Sequence, residues 1–219
     1  MNIRNIAVIL LVFASMTTVQ AQKKTERPKK ARTHIGIEAE IGVAATRYKG
    51  FPYQPDIAKI RAVGSFSGGV FADIPLIKHL SLQPEIIYSQ LGFQRYVEGD
   101  RGIDAYTRRI NYFEMPLLLK FTTGKFSVSA GPKIGLLNKA SMTVNQDVAS
   151  SYTDEAYLYR KTILSALVGF GYDFSRHFGL QLRYSFGLND IADHTVNNGY
   201  PASEKLYPSA FRFGMHYTF

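Results

Sequence analysis

Cysteine is absent from this chain of 219 residues. The sequence therefore excludes disulfide bonds, thiolate metal sites and acylation of an N-terminal cysteine. Tryptophan is also absent, whereas glycine and tyrosine are abundant. After residue 21 there is no apolar run approaching the roughly 20 residues that a membrane-spanning helix needs. The length fits one domain of ordinary size or one β-barrel.

Acidic residues are scarce near the N-terminus, and this explains most of the formal net charge of +9. Apart from Arg4, the basic residues of this region lie in a polar segment at 22–33 that contains one acidic residue, Glu26: Lys23, Lys24, Arg27, Lys29, Lys30 and Arg32. A nucleic-acid-binding surface would instead carry its basic residues on the folded domain, among stacking aromatics. We therefore predict no nucleic-acid partner.

Residues 1–21 have the features of a cleaved secretory signal peptide. Arg4 precedes an apolar run at residues 6–16, and Val19-Gln20-Ala21 resembles a cleavage site. The alternative is a buried N-terminal helix, which the charged segment that follows disfavours. Residues 22–33 have too little apolar surface to offset their ordering entropy, so we predict a basic, disordered periplasmic tail. Residues 34–219 then form the remaining domain.

Eight segments of this domain alternate large apolar residues with small or polar ones. In the last segment Phe211, Phe213, Met215, Tyr217 and Phe219 alternate with Arg212, Gly214, His216 and Thr218. Period-two alternation predicts a β-strand whose two faces differ. The earlier segments cover residues 35–43, 63–74, 80–90, 110–121, 126–136, 160–174 and 178–188.

The connections between these segments alternate in length. Short links at 75–79, 122–125 and 175–177 are interleaved with long polar links at 48–62, 94–109, 138–159 and 189–208. Such alternation is typical of a transmembrane barrel, whereas a β-sandwich does not require it. We predict an all-β fold: an eight-stranded antiparallel up-and-down transmembrane β-barrel with short periplasmic turns and four long extracellular loops.

The polar face is rich in both glycine and charge. An eight-stranded interior is filled by its own side chains, so small residues make room for long ones, and we expect this face to point inward. The alternative is a soluble lipocalin-like carrier with the apolar face inside. Because buried charges must be paired or hydrated, we predict an interior network of ion pairs between glutamates and basic residues. Its members are Glu38, Glu40, Glu85, Glu114, Lys120, Lys133, Arg183 and Arg212.

This network would plug the lumen, and the alternative is a narrow ion path, that is, a passive porin. The long loops would hold any recognition surface, since their tyrosines offer rigid contact area. The same tyrosines are equally compatible with an aromatic girdle at the membrane interface. The sequence leaves both pairs of alternatives open.

Four motifs resemble a known family. They are GGVFADIP at residues 68–75, LQPEIIYSQLG at 82–92, YFEMPLLLK at 112–120 and AGPKIG at 130–135. They resemble the small outer-membrane β-barrel proteins of the Bacteroidota, described as porin family or PorT-like. The resemblance implies an integral outer-membrane barrel without a shared catalytic motif, and one branch of the family is linked to type IX secretion and gliding. The alternating residues Phe213, Met215, Tyr217 and Phe219 resemble the signal read by the barrel-assembly machinery.

Catalytic and metal sites find little support. A nucleophile needs a base within reach, but His194 is followed by Thr195 and Val196 and lacks the His-x-Ser pattern of lipid A deacylases. The five histidines show no zinc-ligand spacing. We predict no enzymatic activity, no metal and no cofactor. The predicted function is structural, surface-binding or envelope-assembling, and the predicted partners are outer-membrane lipids, the assembly machinery and envelope or secretion-system proteins.

Overall fold

The structure is a computed structural model that describes residues 32–49, 58–99, 102–145, 150–154, 156–193 and 205–219. The predicted signal peptide and most of the predicted tail lie outside these residues. The described residues form ten strands: β1 (His34–Lys49), β2 (Ala58–Arg61), β3 (Val63–Ile77), β4 (Leu80–Gly99), β5 (Gly102–Thr123), β6 (Phe126–Asn145), β7 (Ser150–Asp154), β8 (Thr162–Asp173), β9 (Phe178–Gly187) and β10 (Lys205–Thr218). No helix among them has the length and apolar character needed to cross a membrane.

Eight of the strands close into an antiparallel barrel in the order β1-β3-β4-β5-β6-β8-β9-β10. The ring closes where β1 pairs with β10, from Gly36 opposite Thr218 to Lys49 opposite Lys205. The short strands β2 and β7 pair with the distal parts of β4 and β6, outside the ring. The eight-stranded antiparallel barrel predicted from the sequence is therefore confirmed.

The apolar face of the barrel points outward. Ile41 is 71% exposed and Phe170 is 62% exposed, while Glu114 and Lys133 are almost completely buried. This arrangement is the reverse of a soluble fold, in which contiguous apolar surface of this extent is rare. The lipocalin-like alternative, which requires the apolar face inside, is wrong.

Aromatic rings cluster at the end of the barrel where the short turns lie, which we call the turn side. Phe126 and Tyr172 have ring centroids 5.0 Å apart, and Phe178 and Tyr217 are 5.1 Å apart. Tyr217 also packs edge-on against Phe219, at 5.3 Å. The outward rings on neighbouring strands thus form part of a belt of the kind that lies at a membrane interface.

The three tight turns lie as expected at residues 78–79, 124–125 and 174–177. Gly124 has a φ of 58°, a conformation that favours glycine in a two-residue hairpin turn. The opposite end, the loop side, differs from the prediction. The link at 94–109 is a hairpin rather than a loop, because β4 continues to Gly99 and β5 begins at Gly102. Backbone pairing persists there although the apolar and polar residues no longer alternate.

Close approach of strands explains one of the interior glycines. A Cβ at Gly131 on β6 would collide with the carbonyl oxygen of Leu117 on β5, whereas a Cβ at Gly64 on β3 would meet no atom within 4 Å. A methyl group at residue 131 therefore requires the two strands to move apart. Residue 64 provides a matched site in another strand with open space.

We expect Gly131→Ala to lower the free energy of unfolding by about 1–3 kcal/mol, the usual cost of overpacking. The matched variant Gly64→Ala should stay within about 0.5 kcal/mol of the parent protein, as exposed substitutions usually do. Urea unfolding in detergent micelles, followed by far-UV circular dichroism, measures both. Equal stability of the two variants would show that β6 and β5 do not approach as closely as described.

Candidate functional site: the barrel interior

Arg183 on β9 is the centre of the interior charge network. Its guanidinium lies 3.0 Å from Glu38 and 3.3 Å from Glu40, both on β1. It also donates two parallel hydrogen bonds of 2.9 Å to the carboxylate oxygens of Glu85 on β4. Such a bidentate pair is among the strong charge-assisted interactions in proteins. Since β4 and β9 are four strands apart in the ring of eight, Arg183 spans the lumen from one wall to the opposite wall.

Neutral side chains complete the coordination of these carboxylates. Gln181 Nε2 donates to Glu38, at 3.0 Å, and to Glu40, at 2.8 Å. Gln83 donates to Glu85 and Ser67 donates to Glu40, both at 2.7 Å. The polar-face pattern placed these three residues inside but gave no sign that they would serve as donors. Ser67 reaches Glu40 Oε2, which Arg183 does not contact, whereas the two glutamines add second contacts to oxygens already paired with Arg183.

A second ion pair joins neighbouring strands. Lys133 Nζ on β6 lies 2.8 Å from Glu114 Oε1 on β5, and both side chains are essentially inaccessible to solvent. The nearer Glu114 oxygen is at ion-pair distance from Lys133, and the other, Oε2, has no hydrogen-bond partner among the described residues. Charge attraction at short range is therefore the main interaction between them.

Lys120 and Arg212 differ from the predicted pairing with glutamates. Lys120 lies six residues along β5 from Glu114, about 20 Å away at the rise of a strand, and pairs instead with Asp73 at 3.1 Å. Arg212 lies directly opposite Arg183 in the backbone register. It donates to the hydroxyl oxygens of Ser65, at 3.0 Å, and of Ser89, at 2.8 Å. Like-charge repulsion between adjacent guanidinium groups accounts for this orientation.

A hydrophobic cluster packs in the interior on the loop side. Leu158 and Tyr159, which follow β7, and Ile191 and Ala192, which follow β9, are buried in it. They pack with side chains on the inner wall of the barrel: Ala44, Leu91, Phe93, Ile110, Tyr112, Ala140, Ile163, Leu206 and Ala210. We call this cluster the cap. The prediction that the third and fourth links are simply polar loops is therefore wrong at these four positions.

Backbone hydrogen bonds hold the two cap segments together. The amide of Arg160 donates to Ile191 O at 2.8 Å, and the amide of Asp193 donates to Leu158 O at 2.9 Å. The buried carboxylate of Asp190 accepts from the amides of Ala192, at 3.0 Å, and Leu206, at 2.8 Å. The cap is thus tied to β10 as well as to the preceding link.

The turn side is open and polar. A cavity of about 160 Å³ lies there, with His34, His177, His216, Asp173 and Lys120 among its lining residues. His216 Nε2 lies 2.9 Å from Asp173 Oδ1. A smaller cavity, of about 20 Å³, extends inward to Gln181 and Arg183. We call these two spaces the vestibule.

The vestibule brings together residues that share no spacing or motif in the sequence. His34, His177 and His216 come from strands and a turn that are distant in the sequence, yet they line one cavity. Even so, among the described residues there is no group of three histidine or carboxylate side chains able to hold a metal ion. His194, the residue considered for catalysis, lies outside the described residues.

The four residues of the predicted assembly signal lie on the lipid-facing side of β10 or directly after it. Phe213 and Met215 are about half exposed, and Phe219 is 67% exposed. Tyr217 is packed between Phe178 and Phe219. Recognition by the assembly machinery stays a prediction.

Solved structures of small outer-membrane barrels are similar to this chain in fold. Neisserial surface protein A has a TM-score of 0.50 at 13% identity, with 84% of this chain and 97% of that chain covered. The attachment invasion locus protein Ail of Yersinia pestis gives 0.40 at 13% identity, covering 84% and 98%. The outer membrane protease OmpT of Escherichia coli gives 0.43 at 10% identity, covering 90% and 99%. At 13% identity, the similarity to Neisserial surface protein A indicates a shared fold and nothing about function.

The sequence comparisons are more specific. No curated protein sequence matches the chain. The family model described as outer membrane protein beta-barrel domain matches residues 20–193. This match covers more than half of the chain and extends from before β1 to beyond β9. The chain belongs to the outer membrane protein beta-barrel domain family.

Proposed function

We propose that this protein is a closed barrel that anchors a binding surface in the bacterial outer membrane and does not conduct solutes. The observation that carries the proposal is the bridge from Arg183 on β9 to Glu85 on β4, which crosses the lumen at its full width. Family membership supports an integral protein of the bacterial outer membrane. The apolar surface around the barrel then contacts lipid.

Two barriers in series support a closed lumen. An ion moving through the interior must separate Arg183 from its carboxylates, and separating a buried ion pair leaves uncompensated charge that costs several kcal/mol. It must also pass the cap, in which Phe93, Ile191 and Leu206 are fully buried and offer no polar partner along their side chains. One barrier is a network of ion pairs and the other is apolar, so no ion is stabilised at both.

The loop side supports a binding role. Beyond the cap, β4 continues for six residues after Phe93, to Gly99, roughly 20 Å at the rise of a strand, and β5 pairs along this segment. β2 pairs along β4 and β7 pairs along β6, so that a sheet in the order β2-β4-β5-β6-β7 extends away from the barrel. Tyr157, which is 60% exposed, lies beside it. Among the described residues, the outer strands β2 and β7 each pair on one side only, and a free strand edge is a recognised platform for partner proteins.

The narrow porin remains the second candidate, because the vestibule reaches Arg183 from the turn side. The cap on the loop side argues against it. Export by a cleaved signal peptide, membership of the Bacteroidota or PorT-like group, a link with secretion and the absence of catalysis stay predictions.

Removing the central arginine should destabilise the barrel. We expect Arg183→Met to lower the free energy of unfolding by about 3–5 kcal/mol, because Glu38, Glu40 and Glu85 would remain buried without their shared cation. Adding Glu85→Gln to this variant should recover part of the loss, since the bidentate partner then becomes neutral. Urea unfolding in micelles measures both, and Arg176→Met in an exposed turn provides the control. If Arg183→Met is no more harmful than the control, the bridge is not a structural element.

Conductance distinguishes the two functions. In planar lipid bilayers we expect the parent protein to give no steady current steps. A variant that removes both barriers, Arg183→Gly with Leu158→Gly and Ile191→Gly, should conduct and should prefer cations, because three glutamates then line the path. Arg176→Gly provides the control for insertion and handling. Regular steps from the folded parent protein would refute the closed barrel and establish the porin.

A further inference from the structure

Four basic side chains lie just beyond the apolar band on the loop side. Each is exposed, and each is next in sequence to a residue buried in the interior, so that its side chain points outward. The four residues and their buried neighbours are Arg47 beside Thr46, Arg109 beside Ile110, Lys139 beside Ala140, and Lys205 beside Leu206.

On each strand, the basic side chain extends the row of outward residues that contact lipid. On β1 the outward residues Ile41 and Val43 are followed by Ala45 and then by Arg47. On β5 the outward residues run from Phe113 through Asn111 to Arg109. Each basic group therefore lies within a few residues of the band, at the level expected for lipid headgroups.

The backbone register groups the four residues into two pairs. Arg47 is opposite Tyr207, two residues from Lys205 on the same face of β10. Arg109 is opposite Ser141, two residues from Lys139 on the same face of β6. Both pairs occupy diagonal positions on adjacent strands, about 7–8 Å apart. An anionic group placed between two exposed basic side chains at this separation can contact both of them.

The pairs are confined to one rim and lie on opposite sides of the barrel. The strands β1 and β10 are separated from β5 and β6 by two strands in either direction. On the turn side the corresponding outward positions hold aromatic residues such as Phe126, Tyr172 and Phe178. The exposed basic residues of that side, Lys78, Lys125 and Arg176, lie in the turns themselves. Within the part of the chain that the structure describes, the two paired cationic sites therefore lie on the loop side.

We propose that each pair binds a phosphate group on the headgroup of an anionic lipid in the loop-side leaflet, so that one barrel binds two such lipids. The proposal uses the membrane location given by family membership and is independent of whether the lumen conducts. A phosphate held between two basic side chains gains charge-assisted hydrogen bonds. The acyl chains of the same lipid would lie along the rows of outward apolar residues next to the pair. Free phosphate has no acyl chains and cannot make this second contact.

Native mass spectrometry of the protein in a neutral detergent tests the proposal. The probe is bisphosphorylated lipid A, compared with the same lipid after removal of its phosphates. We expect the parent protein to retain up to two lipids. The double variants Arg47→Gln with Lys205→Gln and Arg109→Gln with Lys139→Gln should each retain one, with affinity at the altered site reduced on the order of tenfold. The quadruple variant should retain none.

The matched control is Lys78→Gln with Lys125→Gln, which removes two exposed charges on the turn side and should still bind two lipids. A heat-dependent shift on a gel confirms that every variant is folded. Three results would overturn the proposal: two lipids retained by the quadruple variant, equal loss in the control, or equal retention of the dephosphorylated lipid. Displacement of the lipid by inorganic phosphate at equal concentration would assign the sites to a free anion. Preferential binding of heparin would assign them to a sulfated polysaccharide.

Discussion

The pairing of β1 with β10 is the constraint on which the rest of the structure depends. Within hydrocarbon a backbone amide or carbonyl group has no water to bind, and each unsatisfied group costs several kcal/mol. The ladder from Gly36 and Thr218 to Lys49 and Lys205 removes both edges of the sheet at once. An open sheet of the same eight strands would expose two rows of such groups to lipid, so closure is a condition for residing in the membrane.

Closure with eight strands also dictates the chemistry of the interior. The lumen has only enough width for side chains, and the polar face must point into it because the apolar face contacts lipid. Charges held in so narrow a space need partners on facing walls. Arg183 meets this need by reaching Glu85 on the opposite wall, and Gln181 meets it by donating to two glutamates at once. Glycines such as Gly131 allow neighbouring strands of the wall to approach closely.

The sequence predicted the barrel well because a membrane enforces alternation. Phe113, Leu117 and Phe121 on β5 contact lipid only if every second residue is apolar, and that pattern is visible in one sequence. Beyond the membrane the constraint ends, and the extension of β4 to Gly99 and of β5 from Gly102 left no such signal. The cap was not predicted for a related reason: Leu158-Tyr159 and Ile191-Ala192 are isolated pairs, too short to show a periodic pattern. The partners of Lys120 and Arg212 depend on register and on level within the lumen, which no single strand encodes.

The two ends of the interior differ in polarity. The loop side is packed with apolar side chains, and backbone hydrogen bonds join two of its links. The turn side contains a polar cavity that ends at Arg183. Coupling between the two ends would require movement of the cap and of a buried ion-pair network together. This contrast between the two ends supports the proposed closed barrel, which would hold its loop-side surface rigidly, over the narrow porin.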